Sequence, residues 1–312
     1  MRDVGEFGVV AAVMARFPQA GNVLVGPGDD AAVIGVAGGD VVASVDMLIQ
    51  NRHFRLDWSS GVDIGHKAAA ESLSDINAMG GCATALLVGL GAPPGLDSGW
   101  ALDFADGLAA EASKVGASVV GGDVTSADEI TIGVTAIGEC AAGVVRRSGA
   151  RPGDIVALAG RQGWAGAGFA VLGRGFRSPR VVVDAHRRPE PPYPQGPEGA
   201  RLGATAMIDV SDGLLQDLGH IAAMSGVAVD VERGRFEIPE PLQAVGAALN
   251  VDPMRFVLTG GDDYSLLASF PAGTELPDSW RLIGRVLDDG TAGAVTVDGE
   301  GYAEAAGHQH FR

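Results

Sequence analysis

Lysine is almost missing from this sequence of 312 residues: only Lys67 and Lys114 occur, and 22 basic residues face 39 acidic ones, for a net charge of −17. A duplex-binding surface needs Lys and Arg against the phosphate backbone, so nucleic acid is excluded as a partner. A small polyanion such as ATP stays compatible with this charge where metal ions intervene. Cysteine is limited to Cys82 and Cys140. They have neither metal-ligand spacing nor the number for a disulfide framework, and buried free thiols in a reducing compartment are expected. No apolar run reaches the length of a membrane span. Met1 to Val10 contains Arg2, Asp3 and Glu6 in place of a signal-peptide apolar core. A soluble, cytoplasmic protein is expected. Several catalytic signatures are also missing. There is no phosphate loop with its lysine and no protein-kinase motif set. No Ser-His-Asp arrangement stands out, and His66, His186 and His220 lack metal-ligand spacing. Gly163-Trp164-Ala165-Gly166-Ala167-Gly168 is only loosely dinucleotide-like.

Glycine, by contrast, occurs 48 times, which implies many tight turns and close backbone approaches. Aspartate recurs beside it or beside serine: Gly28-Asp29-Asp30, Ser44-Val45-Asp46, Ser74-Asp75, Gly122-Asp123, Asp209-Val210-Ser211-Asp212-Gly213 and Gly261-Asp262-Asp263. One such pair is ordinary turn chemistry. Six in one chain suggest a shared purpose. If they converge, like charges raise one another's pKa and the cluster calls for cations. Hard carboxylate oxygens suit Mg²⁺, and Mg²⁺ suits phosphate chemistry.

The length predicts two domains, and the polar, turn-rich stretch Arg146 to Asp154 marks the boundary, giving 1–145 and 146–312. Apolar spacing predicts a short helix at Val4 to Phe17 and a longer one at Val62 to Met79. Strands are predicted at Asp40 to Ile49, Ala83 to Gly89, Ala117 to Val120 and Ile130 to Glu139, with a helix at Trp100 to Val115. In the first strand, period two puts Ser44 and Asp46 on one face and Val45 on the other. On the long helix, Lys67, Glu71 and Asp75 fall at i, i+4 and i+8; for Lys67 and Glu71 a solvated, ion-paired face is expected. This pattern without Rossmann glycines predicts an α+β sheet with helices on one side. Further on come a strand at Ile155 to Ala159, a glycine-rich turn into a helix, and an extended proline-rich loop from Pro189 to Pro197. A strand is also predicted at Asp263 to Phe270.

Ser211 is the natural N-cap of the helix that Leu214, Leu215, Leu218 and Ile221 predict. A helix N-terminus there favours a phosphate group, and Asp209 and Asp212 flank it.

These motifs, in this order over essentially the whole chain, resemble the thiamine-monophosphate kinase family of the aminoimidazole ribonucleotide synthetase superfamily. The resemblance implies direct ATP-dependent phosphorylation of thiamine monophosphate to thiamine diphosphate, without a phosphoenzyme. It implies a homodimer in which the N-terminal α+β domains share a β-barrel, each followed by a C-terminal α/β domain. It also implies several Mg²⁺ ions and ATP as co-substrate, and leaves room for a monovalent cation. By matching motifs, Asp30, Ser44, Val45 through its backbone oxygen, Asp46, Asp75, Asp123, Asp209 and Asp212 resemble metal ligands. Gly122, Asp123, Arg147 and Ser211 resemble nucleotide contacts, and His53, Asp262 and His308 substrate contacts. Asp262 stands where the family has Glu, and His308 where it commonly has an aromatic residue. Two alternatives are another ATP-using enzyme of the superfamily and a regulatory protein that has lost catalysis. The retained aspartates argue against the second.

Overall fold

Two sheets organise the chain in the computed structural model, which describes residues 23–25, 29–36, 39–302 and 307. The helix expected at Val4 to Phe17 and the candidate residue His308 lie outside the described residues. The first sheet has the order β1 (Val23–Val25), β2 (Ala32–Val36), β3 (Gly39–Ile49), β6 (Thr131–Glu139), β4 (Cys82–Ala92), β5 (Ser118–Ser126). Its pairs are antiparallel except β4 with β5, which the helix α2 (Ser98–Ser113) connects. A parallel pair needs such a crossover.

Helix α1 (Gly61–Ala78) lies between β3 and β4 in sequence. Ser60 and Asp63 start it with a reciprocal capping box, each accepting from the other's backbone N–H. Ile64, Ala68, Leu73 and Ile76 pack into the core of the first sheet. The helix can lie against α2 because glycines stand at the crossing. A Cβ on Gly65 would sit 2.1 Å from the Phe104 carbonyl oxygen, and one on Gly107 2.1 Å from that of Val62.

The second sheet has the order β13 (Glu300–Gly301), β12 (Val295–Val297), β9 (Ala228–Val231), β11 (Trp280–Leu287), β7 (Ile155–Ala159), β10 (Leu266–Phe270), β8 (Ala206–Asp209). Around it lie α3 (Trp164–Gly173), α4 (Arg180–Arg187), α5 (Gln195–Leu202), α6 (Leu214–Ser225), α7 (Glu240–Leu249) and α8 (Met254–Thr259). A smaller apolar cluster joins the two halves: Ala78 of α1 and Val145 pack with Met207, Phe270 and Trp280. Beside it, Asn77 accepts from Gly196 N–H at 2.9 Å and donates to the Pro192 carbonyl at 3.2 Å, tying α5 to the end of α1.

Three local expectations change. The strand expected to stop at Val120 runs on to Ser126, so Gly121-Gly122-Asp123 lies inside β5. The glycines make this possible, since a Cβ on Gly122 would lie 2.0 Å from the Val88 carbonyl oxygen. The proline-rich loop ends at Pro194, where α5 begins, because Pro needs no N–H partner at a helix start. Cys82 is exposed, not buried, while the partly buried Cys140 thiol is pushed up to about 11, chiefly by burial. No helix among the described residues is long and apolar enough to cross a membrane.

The glycine crossing of α1 and α2 is directly testable. Gly107→Ala improves helix propensity by about 1 kcal/mol, but overpacking against Val62 costs about 1–3 kcal/mol. Urea denaturation of this variant is expected to show a net loss of stability.

Candidate active site

Three carboxylates converge from separate parts of the chain. Asp30 precedes β2, Asp75 lies in the last turns of α1, and Asp209 ends β8 in the second sheet. Each offers an oxygen, and these oxygens lie within 4.8 Å of one another. Ser44 on β3 donates a hydrogen bond to Asp75. Asp46, two residues on and therefore on the same strand face, has a buried Oδ2 without a hydrogen-bond partner. Val45 points the other way and is 62% exposed.

Burial, followed by the charges of Asp46, Asp209 and Asp30, pushes the Asp75 carboxyl well above its ordinary range. Burial and then Asp30 and Asp217 do the same to Asp209, and burial raises Asp46. The cationic group here is Arg147. Its Nε and Nη2 donate to the two oxygens of Asp30 at 2.8 and 2.7 Å, and its backbone N–H donates to Asp29 at 2.9 Å. Crowded, buried, hard oxygens with one orphaned acceptor fit a divalent cation such as Mg²⁺.

The loop after β8 departs from expectation. The N-cap of α6 is Gly213, not Ser211, and it makes no side-chain cap bond. Asp217 reaches back instead, accepting from the N–H groups of Asp212 and Gly213, both at 3.0 Å. Gly213, at a positive φ of 142° that favours glycine, carries the chain past the position where a serine would cap. Asp212 is engaged by Gln216 at 2.9 Å. Gly122 and Asp123 are not brought to the trio within the chain. Following the register from β3 through β6 and β4, Gly122 lines up with Asp46 and Asp123 with Met47. Asp123 thus shares the exposed face of Met47, away from α1.

The second centre lies at the other end of the α1 stripe. Lys67 and Glu71 do not form the expected solvated face. Lys67 is buried, and its Nζ donates to Asp262 at 2.8 Å and to the His53 carbonyl at 3.4 Å. Glu71 receives the Tyr264 hydroxyl, and burial pushes its carboxyl up to about 8. The stripe faces inward because the second sheet's loops cover it, which no local period reports. Burial would raise Asp262, but the charge and hydrogen bond of Lys67 outweigh it and hold that carboxyl below its usual value. A close turn aims Asp262: its φ is 64°, and its N–H donates to the Ser211 carbonyl at 2.9 Å. A Cβ on the preceding Gly261 would sit 2.1 Å from that same oxygen. Asp263 turns away, accepting from the N–H groups of Gly163 and Ala165 at 2.6 and 2.9 Å, and so caps α3. The expected strand begins only at Leu266. His53 accepts from the Ile49 N–H through Nδ1 at 3.0 Å.

Residues 28–140 match the family model described as AIR synthase related protein, N-terminal domain. The thiamine-monophosphate kinase of Mycobacterium tuberculosis is 44% identical over 313 residues, covering 100% of this chain and 93% of that protein. The chain belongs to the thiamine-monophosphate kinase family. The Corynebacterium glutamicum thiamine-monophosphate kinase is 36% identical, with 99% and 94% covered. In structure, AaThiL complexed with AMPPCP and TMP superposes with a TM-score of 0.91 at 28% identity, over 100% of this chain and 98% of that one.

Within this family frame, the residues that sequence reasoning passed over are Lys67, Glu71, Asp217 and His186. The signal for the first two was present, since they share a helix stripe with Asp75. For His186 and Asp217 no local pattern distinguishes a buried site residue from a packed one.

The raised carboxyls predict a pH dependence. In the folded chain Glu71 and Asp217 hold protons up to about 8, and Asp75 and Asp209 are also held high, whereas the unfolded chain releases them near 4. The unfolded state then binds fewer protons, so stability falls as pH rises through this window. Below about 6.5 the buried neutral His186, pushed down to about 3, works in the opposite sense. Calorimetry on metal-free protein is therefore expected to show Tm falling between about pH 7 and pH 8. Asp75→Asn keeps an acceptor for Ser44 and relieves the repulsion. It is expected to raise the metal-free Tm by about 3 °C and to abolish the Tm increase on adding Mg²⁺.

Proposed function

We propose that the chain transfers the γ-phosphoryl group of ATP to the phosphate of thiamine monophosphate, forming thiamine diphosphate and ADP without a phosphoenzyme. The observation that carries this reading is the convergence of Asp30, Asp75 and Asp209 beside Arg147, at the seam of the two sheets. The names of the relatives and the ligands of AaThiL support it. An acceptor phosphate oxygen attacks the γ-phosphorus as the bond to the bridging oxygen breaks, so the protein's task is positioning and neutralising charge.

Asp30, Asp75 and Asp209, with Asp46, Ser44 and the Val45 backbone oxygen, would hold Mg²⁺. Bound there, the ions supply the positive charge that a phosphate-loop lysine provides elsewhere. Asp212, in the adjoining loop, would hold a further ion. Arg147 and Ser211 serve the nucleotide phosphates, Arg147 as a positive charge fixed in place by the hold of Asp30 on its Nε and Nη2. Asp123 and Gly122 keep their metal and nucleotide assignments by resemblance alone. His53 and Asp262, joined through Lys67, serve the acceptor, with His308 assigned there by resemblance. The division at 145/146, with the cluster between the two domains, and a cytoplasmic location belong to the same reading. A monovalent cation is not required by it.

The protein acts as a homodimer in this reading, its partner seated on the first sheet. All of β5 is exposed, including Val120 and Val124 at 61% and 74%, and Met47 on the same sheet is 56% exposed. An edge strand with an apolar surface is a template for pairing with a second copy, and such pairing is how a shared barrel would arise.

Two measurements check this. Incubation with ATP should give ADP and thiamine diphosphate from thiamine monophosphate, and no product from free thiamine; faster turnover of free thiamine would sink the reading. Val120→Lys with Val124→Lys should convert a dimer to monomer in sedimentation velocity, while an unchanged sedimentation coefficient would place any interface elsewhere.

A further inference from the structure

Next to Asp262, three aromatic rings from different elements meet at a place that neither the metal cluster nor the carried-over motifs use. Trp58 comes from the loop before α1, Phe169 from α3 and His186 from α4. Trp58 and Phe169 have ring centroids 5.9 Å apart at 74°, and His186 lies 6.1 Å from Trp58 and 5.7 Å from Phe169. Packing alone would bury all three. Instead Phe169 is 56% exposed while His186 is only 5% exposed. The Nδ1 of His186 is buried without a hydrogen-bond partner, and the Asp262 carboxylate, at 3.8 Å, is beyond hydrogen-bond reach. A buried imidazole nitrogen left unpaired costs free energy, so its retention calls for a ligand group. Burial, followed by Lys67, pushes this imidazole down to about 3, so it stays neutral and offers one ring N–H and one acceptor.

We propose that Trp58, Phe169 and His186 form the wall that receives the heteroaromatic ring of the phosphate acceptor, with His186 Nδ1 hydrogen-bonding a ring nitrogen or ring amino group. This rests on the acceptor being thiamine monophosphate, whose ring system is tethered to its phosphate. The spacing along α1 agrees with such a molecule. Lys67, which fixes Asp262, is eight residues from Asp75, roughly 12 Å along the helix at 1.5 Å per residue. The phosphate end therefore sits at the carboxylate cluster and the ring end at the aromatic wall. Trp58 meets Phe169 and His186 edge to face and carries the Arg55 guanidinium over its ring at 4.7 Å. Phe169 and His186 are tilted at 54°, so the half-exposed Phe169 offers the open ring face for stacking. Specificity for the ring then resides in these three side chains, and specificity for the phosphate in the aspartates.

The test uses the full chain with thiamine monophosphate, ATP and free thiamine as probes. Phe169 is half-exposed, so Phe169→Ala is expected to fold with the parent's Tm. Its KM for thiamine monophosphate should rise about tenfold, with kcat and the KM for ATP within about twofold of the parent. His186→Phe keeps a ring and removes the nitrogen. It should raise the same KM about fivefold, and His186→Asn, which restores a donor and an acceptor, should recover part of the loss. Free thiamine, which has the ring without the phosphate, should inhibit the parent competitively and Phe169→Ala about tenfold more weakly. Titration calorimetry with thiamine monophosphate reads the same affinity without turnover. Failure of the parent to make product therefore overturns the proposed reaction, while the wall stands or falls on the relative affinities. Parent-like affinity in both Phe169→Ala and His186→Phe overturns the wall. An effect on the KM for ATP alone also overturns it, because the rings would then serve the nucleotide base.

Discussion

Mutual repulsion among buried carboxylates is the constraint on which this protein's architecture turns. Asp30, Asp75 and Asp209 lie within 4.8 Å, yet they come from a loop of the first sheet, a helix and a strand end of the second. Nothing apolar draws them together. The cores beneath them do: the first sheet holds α1 in place, the second holds β8, and the Ala78–Phe270–Trp280 cluster fastens the halves. Arg147 offsets part of the repulsion, and raised carboxyl pKa values absorb more. Stability is thereby surrendered at the place where we propose that cations bind, a trade expected of sites that need preformed charge.

Helix α1 converts that constraint into a layout. Its buried face anchors it to the sheet, its glycines let α2 approach, and its inward stripe carries Lys67, Glu71 and Asp75 one turn apart. A helix is a stiff ruler, so the distance between the carboxylate cluster and the Lys67–Asp262 pair is set by backbone hydrogen bonds. The Gly260-Gly261-Asp262-Asp263 turn meets this ruler from the second sheet. One aspartate points to Lys67 and the next caps α3, so two neighbouring carboxylates have unrelated tasks. Shortening Glu to Asp at position 262 is compatible with this geometry, because the lysine reaches the carboxylate at 2.8 Å.

Much of this was legible from residues alone, because the relevant physics is local. Period two separated Ser44 and Asp46 from Val45, and helical spacing found α1 within one residue at each end. The ordered aspartate motifs, taken jointly, pointed to the family to which the chain belongs. Local pattern and tertiary structure part at two places. Ser211 has every credential of an N-cap, yet Asp217 takes that role from inside the helix. Lys67 and Glu71 look like a solvated pair, since their spacing on a helix says nothing about what covers them.

Tertiary structure decided the rest, for the same reason throughout: burial and non-local pairing depend on which surfaces meet. It alone joined Lys67 to Asp262 across 195 positions, paired Glu71 with Tyr264, and gathered Trp58, Phe169 and His186 around an unpaired nitrogen. It also turned Asp123 onto the outer face of β5, because a strand's side chains alternate and the register, not the motif, chooses the side. Sequence by itself determined the chemistry available, a set of carboxylate and hydroxyl oxygens on helix and strand periods. Packing two sheets against one helix determined which of those oxygens converge.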